Sequence, residues 1–153
     1  MSGSQTGSFL PIAAMMFAAG IGIPIFAALN SALSQQLGGP LAATAMTFAI
    51  GLLIACVMLL FVGWPSPSAF TFERPHIWFG AIFMLFYGTS VAFAAPRIGL
   101  GNAIFFVLLG QIVAAAAIDH FGWLGSIQTA LTPKRLLGIA VMTVGLYLAR
   151  RPV

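Results

Sequence analysis

A chain of 153 residues has the length of one domain, but 61% of these residues are hydrophobic and only 5% are charged. A water-soluble surface needs roughly a quarter of its residues charged, so the chain belongs in a bilayer. Its net charge of +4 comes from six Lys/Arg against two Asp/Glu, placed singly or in pairs at the edges of apolar runs. That distribution fits headgroup anchoring and excludes the basic face that nucleic-acid binding requires.

A helical span needs about 20 mostly apolar residues. Gly, Pro and charge cut the chain into five such runs, roughly 11–35, 41–62, 76–95, 103–121 and 134–149. The fold class is therefore an all-α integral membrane protein, a single transmembrane domain over 10–153 behind a flexible N-terminus at 1–9. That N-terminus is uncharged and Ser/Gly-rich. It lacks the basic start of a cleaved signal peptide, so the first run is retained as a span.

Span one stops at Gly38-Gly39-Pro40, a helix stop, a tight turn and a proline suited to the next first turn. Spans one and two thus form an antiparallel hairpin. Pro24 removes a backbone hydrogen bond and predicts a bend. Ala14, Ala18 and Gly22 recur every fourth residue as a stripe that lets another helix approach. Asn30, Ser34, Gln35 and Gln36 make the end of the span polar.

Span two carries Thr44 and Thr47 early and Cys56 later, and reads as structural packing; the single cysteine is a small packing residue. The loop 63–75 is rich in Pro and Ser, with Trp64, Phe70, Phe72 and Trp78 as interfacial aromatic anchors. Pro75 opens span three, in which Gly80, Met84, Gly88 and Ala92 share a mostly small face suited to helix packing. Ala95 to Gly101, with Pro96 inside, breaks the chain, and Asn102 is the expected N-cap of span four. Gly122 sits where a helix usually ends, 123–131 is too short to cross, and Thr132-Pro133 signals the start of span five, which Arg150-Arg151 closes.

A few polar residues interrupt this hydrocarbon. Gln111 lies near the middle of span four, where its amide must find partners because lipid offers none. It serves either a substrate site at the midplane or interhelical adhesion. The same two roles are open to Asn30. Asp119 faces the negative end of a helix dipole; the default is an ion pair or hydrogen bond with Arg74, His76, His120, Lys134 or Arg135, and a proton-carrying role would need a desolvated cavity. Arg97, after Pro96, is either a snorkelling anchor or a cation at a cavity mouth. His76 and His120 show no metal-ligand spacing. The sequence holds no nucleophile beside a base, no phosphate loop and no paired carboxylates. We therefore expect neither an enzyme nor a cofactor.

Five spans place Arg74, Lys134 and Arg135 on one side and Arg97, Arg150 and Arg151 on the other. Orientation follows the Lys/Arg excess, and here there is none. The balance predicts insertion both ways and an antiparallel homodimer, or pairing with a homologue, the geometry that inverted repeats give many transporters.

Pro24-Ile25-Phe26-Ala27-Ala28-Leu29-Asn30, Ala95-Pro96-Arg97-Ile98-Gly99, Gly110-Gln111, Asp119-His120-Phe121-Gly122 and Arg135-Leu136-Leu137-Gly138 together resemble the YdcZ-type bacterial inner-membrane family of the drug/metabolite transporter superfamily. Phe26 stands where many relatives would carry glutamine. The resemblance implies a five-span subunit of the inner membrane, in contact with lipid and a second copy, moving a small molecule by alternating access. Asn30, Gln111, Asp119 and Arg97 are its candidate substrate residues, and Ala14, Ala18, Gly22 and Gly88 its packing residues. The competing reading is a non-transporting assembly or regulatory partner of another five-span protein. The first carboxylate, Glu73, lies in a loop, which disfavours export of lipophilic cations through an intramembrane acid.

Overall fold

The structure is a computed structural model that describes residues 5–149. Arg150 and Arg151, which enter the charge balance, and the first four residues of the N-terminus lie outside the described residues. Among the described residues all regular secondary structure is helical, with no strand. Five α-helices follow in order: α1 (Gln5–Leu37), α2 (Pro40–Val62), α3 (Gly80–Ile98), α4 (Leu100–Phe121) and α5 (Pro133–Ala149). Short 3-10 turns occupy Pro67–Ala69, Pro75–Phe79 and Trp123–Gly125.

Four stretches are long and apolar enough to cross a membrane: Phe9–Leu37, Pro40–Val62, Pro75–Ile98 and Leu100–Phe121. The fifth helix, α5, has 17 residues. At 1.5 Å per residue it is about 26 Å long, the short end of what a span needs. The chain divides into two compact units, Met1–Pro96 and Arg97–Val153.

In the first unit the expected hairpin forms. Gly38 takes φ +76, a conformation open to glycine, and Pro40 enters as the first residue of α2 after an extended Gly39. Helix α1 begins at Gln5, ahead of the expected start, and stays helical through Pro11 and Pro24. The buried core lies toward the turn, at Ala27, Asn30, Ser31, Ser34, Ala43 and Thr44, joined by Gly88, Val91, Ala92 and Ala95 of α3. Away from the turn α1 is exposed, Ala14, Ala18 and Gly22 included, and a Cβ placed on Gly20, Gly22 or Gly51 would meet nothing within 4 Å. Among the described residues, the small-residue stripe of α1 therefore approaches no helix of its own unit. In the 63–79 connection, Phe70 and Phe72 both stack on Trp78, with ring centroids 6.1 and 5.6 Å apart.

Two further helix boundaries differ from the sequence reading. Pro96 does not end α3, which continues to Ile98; the break falls at Gly99, whose φ is +84. Pro96 lies in the last turn, where the hydrogen bond its ring removes does not stop a helix that ends three residues later at a glycine of positive φ. Asn102 does not cap α4, which starts at Leu100. Its Nδ2 instead donates to the Ile98 carbonyl at 2.9 Å, satisfying an acceptor orphaned at the end of α3.

In the second unit Gly122 ends α4 in the left-handed conformation, φ 63 and ψ 29, its N–H returning to Ile118 O. Thr132 caps α5, its Oγ1 accepting the Arg135 N–H at 3.3 Å. Both match the sequence signals.

Candidate functional site

The first polar group of interest is built where α1, α2 and α3 meet. Asn30 is 2% exposed and Thr44 fully buried, so every hydrogen-bonding atom there must be matched from within. The Asn30 amide donates from Nδ2 to Thr44 Oγ1 and to the Gly88 carbonyl, both at 3.0 Å, and accepts at Oδ1 from Thr47 Oγ1 at 3.2 Å. Thr44 in turn donates to Pro40 O at 2.9 Å. Thr44 and Thr47 sit three residues apart, one helical step, so both hydroxyls face Asn30.

Gly88 makes the junction possible. A Cβ there would lie 2.8 Å from Thr44 Cγ2 and 3.5 Å from Phe26 Cζ. Phe26 also stacks on Tyr87 at 6.1 Å. Among the described residues, the buried Tyr87 and Thr89 hydroxyls have no hydrogen-bond partner.

The second group closes the end of α4. Asp119 Oδ2 accepts from Arg135 at 2.5 Å, and Oδ1 accepts from Ser126 Oγ at 2.8 Å. Arg135 also donates to Thr129 O at 3.4 Å, while the Thr129 N–H reaches Asp119 O at 2.8 Å. His120 adds two ties: its Nδ1 accepts the Leu131 N–H at 3.1 Å, and its carbonyl accepts from Gln128 at 3.2 Å. The segment 123–131 is thereby folded onto the α4 terminus, and the start of α5 is anchored to it. Arg135 is thus the partner taken from the five candidates for Asp119.

Gln111 is different. It is exposed and has no hydrogen-bond partner among the described residues. It stands at the centre of α4, between Leu100 and Phe121, about 12 Å along the axis from Asp119. Arg97 is exposed in the last turn of α3. Of the four candidates, Asn30 lies in the first unit and the other three in the second.

Sequence reasoning passed over Thr44 and Thr47 as packing residues and did not single out Ser126, Gln128 or Thr129. The 44/47 spacing opposite an asparagine was an available signal. The loop contacts had none, because they depend on how the chain turns at Gly122 and Gly125.

Four long apolar helices, with Asn30 and Asp119 held in small internal clusters and the Gln111 amide exposed at mid-helix, are the architecture of a multi-pass membrane protein. Residues 11–148 match the family described as "Putative inner membrane exporter, YdcZ". The match takes in nearly the whole chain, which belongs to this family and is accordingly a membrane transporter of the inner membrane. Comparison with the curated proteins and with the solved structures gave no match.

Proposed function

We propose that the chain is one subunit of a drug/metabolite-class transporter, spanning five times with α5 as the last span. It pairs with a second, oppositely oriented copy or a homologue and moves a small molecule by alternating access. The observation that carries this is the family match over 11–148; the equal division of Lys and Arg between the two sides supports the pairing.

Gln111 is the residue through which substrate is held, since it alone among the four candidates has an exposed amide unused by its own chain at mid-helix. Asn30 and Asp119 belong to the framework, their hydrogen-bonding atoms being engaged within the chain. Arg97, exposed at the end of α3, gives the entrance a positive charge. With Asp119 held by Arg135 and Glu73 in the loop before α3, no carboxylate within a span is offered to a cation, and the reading favours neutral or anionic molecules.

The test is flux. Purified protein in liposomes, screened with labelled neutral and anionic metabolites, carries at least one faster than empty liposomes do, and folded Gln111→Leu protein loses that flux. A Gln111→Leu protein with full flux would remove the amide from the site, and flux of lipophilic cations alone would overturn the substrate class.

A further inference from the structure

Helix α4 carries a pattern that says how it is covered. Val107, Leu108, Gln111, Ala114 and Ala115 fall on one side of the helix by its 3.6-residue period. Leu108, Gln111, Ala114 and Ala115 are exposed and Val107 is half-buried. The side consists of two large apolar residues, an amide, then two small residues.

An amide with no partner cannot face hydrocarbon without cost, and an amide is complementary to itself: the NH2 of one donates to the carbonyl of another. A two-fold axis in the membrane plane sets each residue of one helix against the residue equally far on the other side of the axis. Only a residue on the axis meets its own copy. Gln111, at the midpoint of α4 (Leu100–Phe121), is the residue that takes this place in a pair crossing at mid-helix.

The neighbours follow the same rule. With the axis at Gln111, Ala114 of one copy faces Leu108 of the other, and Ala115 faces Val107, large against small at each step. A parallel pair would set Leu108 on Leu108 and Ala114 on Ala114, crowding one turn and leaving a void at the next.

We infer that α4 is an interface with a second copy of this chain, packed antiparallel with the two Gln111 amides hydrogen-bonded on the two-fold axis. The inference rests on the proposed pairing of chains and gives it a location and a register. A reciprocal amide pair uses one donor and one lone pair of each glutamine, so each keeps one donor and one lone pair for a bound molecule.

The test is disulfide trapping in native membranes, in a Cys56→Ala background. Leu108→Cys chains co-expressed with differently tagged Ala114→Cys chains form a mixed disulfide, while either variant alone forms none. In the antiparallel pair two copies of position 108 are offset by about 9 Å along the axis, beyond the reach of a disulfide. Gln111→Cys links to itself, and the 108/114 pair reports the register with the glutamine intact. Homodimer bands from Leu108→Cys alone or Ala114→Cys alone, or no mixed band, would overturn the inference. Flux, measured separately, is the readout on which the transporter reading stands or falls.

Discussion

Replacing Gly88 by alanine tests the junction of α1, α2 and α3 with one methyl group. The added carbon would lie 2.8 Å from Thr44 Cγ2, 3.4 Å from Thr44 Oγ1 and 3.5 Å from Phe26 Cζ, so the first contact must give. Overpacking of this kind costs about 1–3 kcal/mol. If Thr44 turns aside, its hydrogen bond from Asn30 is weakened, adding about 0.5–1 kcal/mol. Alanine's better helix propensity offsets about 0.5–1 kcal/mol, leaving a loss of about 1–3 kcal/mol.

Gly51→Ala is the control: it too sits within a helix, but its Cβ would meet nothing within 4 Å, so it is neutral or slightly stabilising. The assay is unfolding in detergent micelles followed by circular dichroism. Thr44→Ser removes the offending Cγ2 and keeps the hydroxyl, so the double variant Gly88→Ala/Thr44→Ser shows a favourable coupling of about 1 kcal/mol or more. Equal stability of Gly88→Ala and Gly51→Ala, or no coupling with Thr44→Ser, would refute the steric reasoning.

Asp119→Asn keeps an acceptor for Ser126 and loses the ion pair to Arg135. Because both side chains are about a third exposed and solvent screens the pair, the loss is small, visible as a slight drop in melting temperature and faster labelling in an Ala130→Cys background. A proton carrier would instead lose its dependence on a pH gradient, so intact gradient-driven flux in Asp119→Asn is the expected companion result. For topology, a tag at the C-terminus is found on both membrane faces in comparable amounts, and two lysines added to the Gly38-Gly39 turn bias the population toward the orientation that keeps this turn cytoplasmic. A wild-type tag confined to one face would end the dual-orientation reading.

The helices were legible because hydrocarbon length and helix-stop chemistry are local. Gly38-Gly39-Pro40, Gly122 and Thr132-Pro133 each act within a turn of chain, and each does in the structure what its residue type dictates. Pro96 and Asn102 misled for a related reason: a helix continues past a weak breaker when a stronger one follows, and an asparagine at a helix junction can serve either end. The partner of Asp119 could be narrowed to five residues but not chosen, since the choice depends on how 123–131 folds back. Asn30 illustrates the limit for sites. Its position in the sequence suits a substrate contact and an internal junction equally well, and only the placement of Thr44, Thr47 and Gly88 shows where its hydrogen bonds go.

That junction also has a mechanical meaning. The step from one helix position to the next is about 100°, so turning α1 by a single residue would carry Asn30 away from Thr44, Thr47 and Gly88 together. The part of α1 near the turn is thus locked in rotation to α2 and α3. Its other half, before Pro24, is exposed and has no such restraint from α2 or α3 among the described residues, and proline has already removed one backbone bond between the two halves. Within this unit, then, the cheapest motion of α1 is a tilt of its leading half about Pro24, with Asn30 as the fixed bearing.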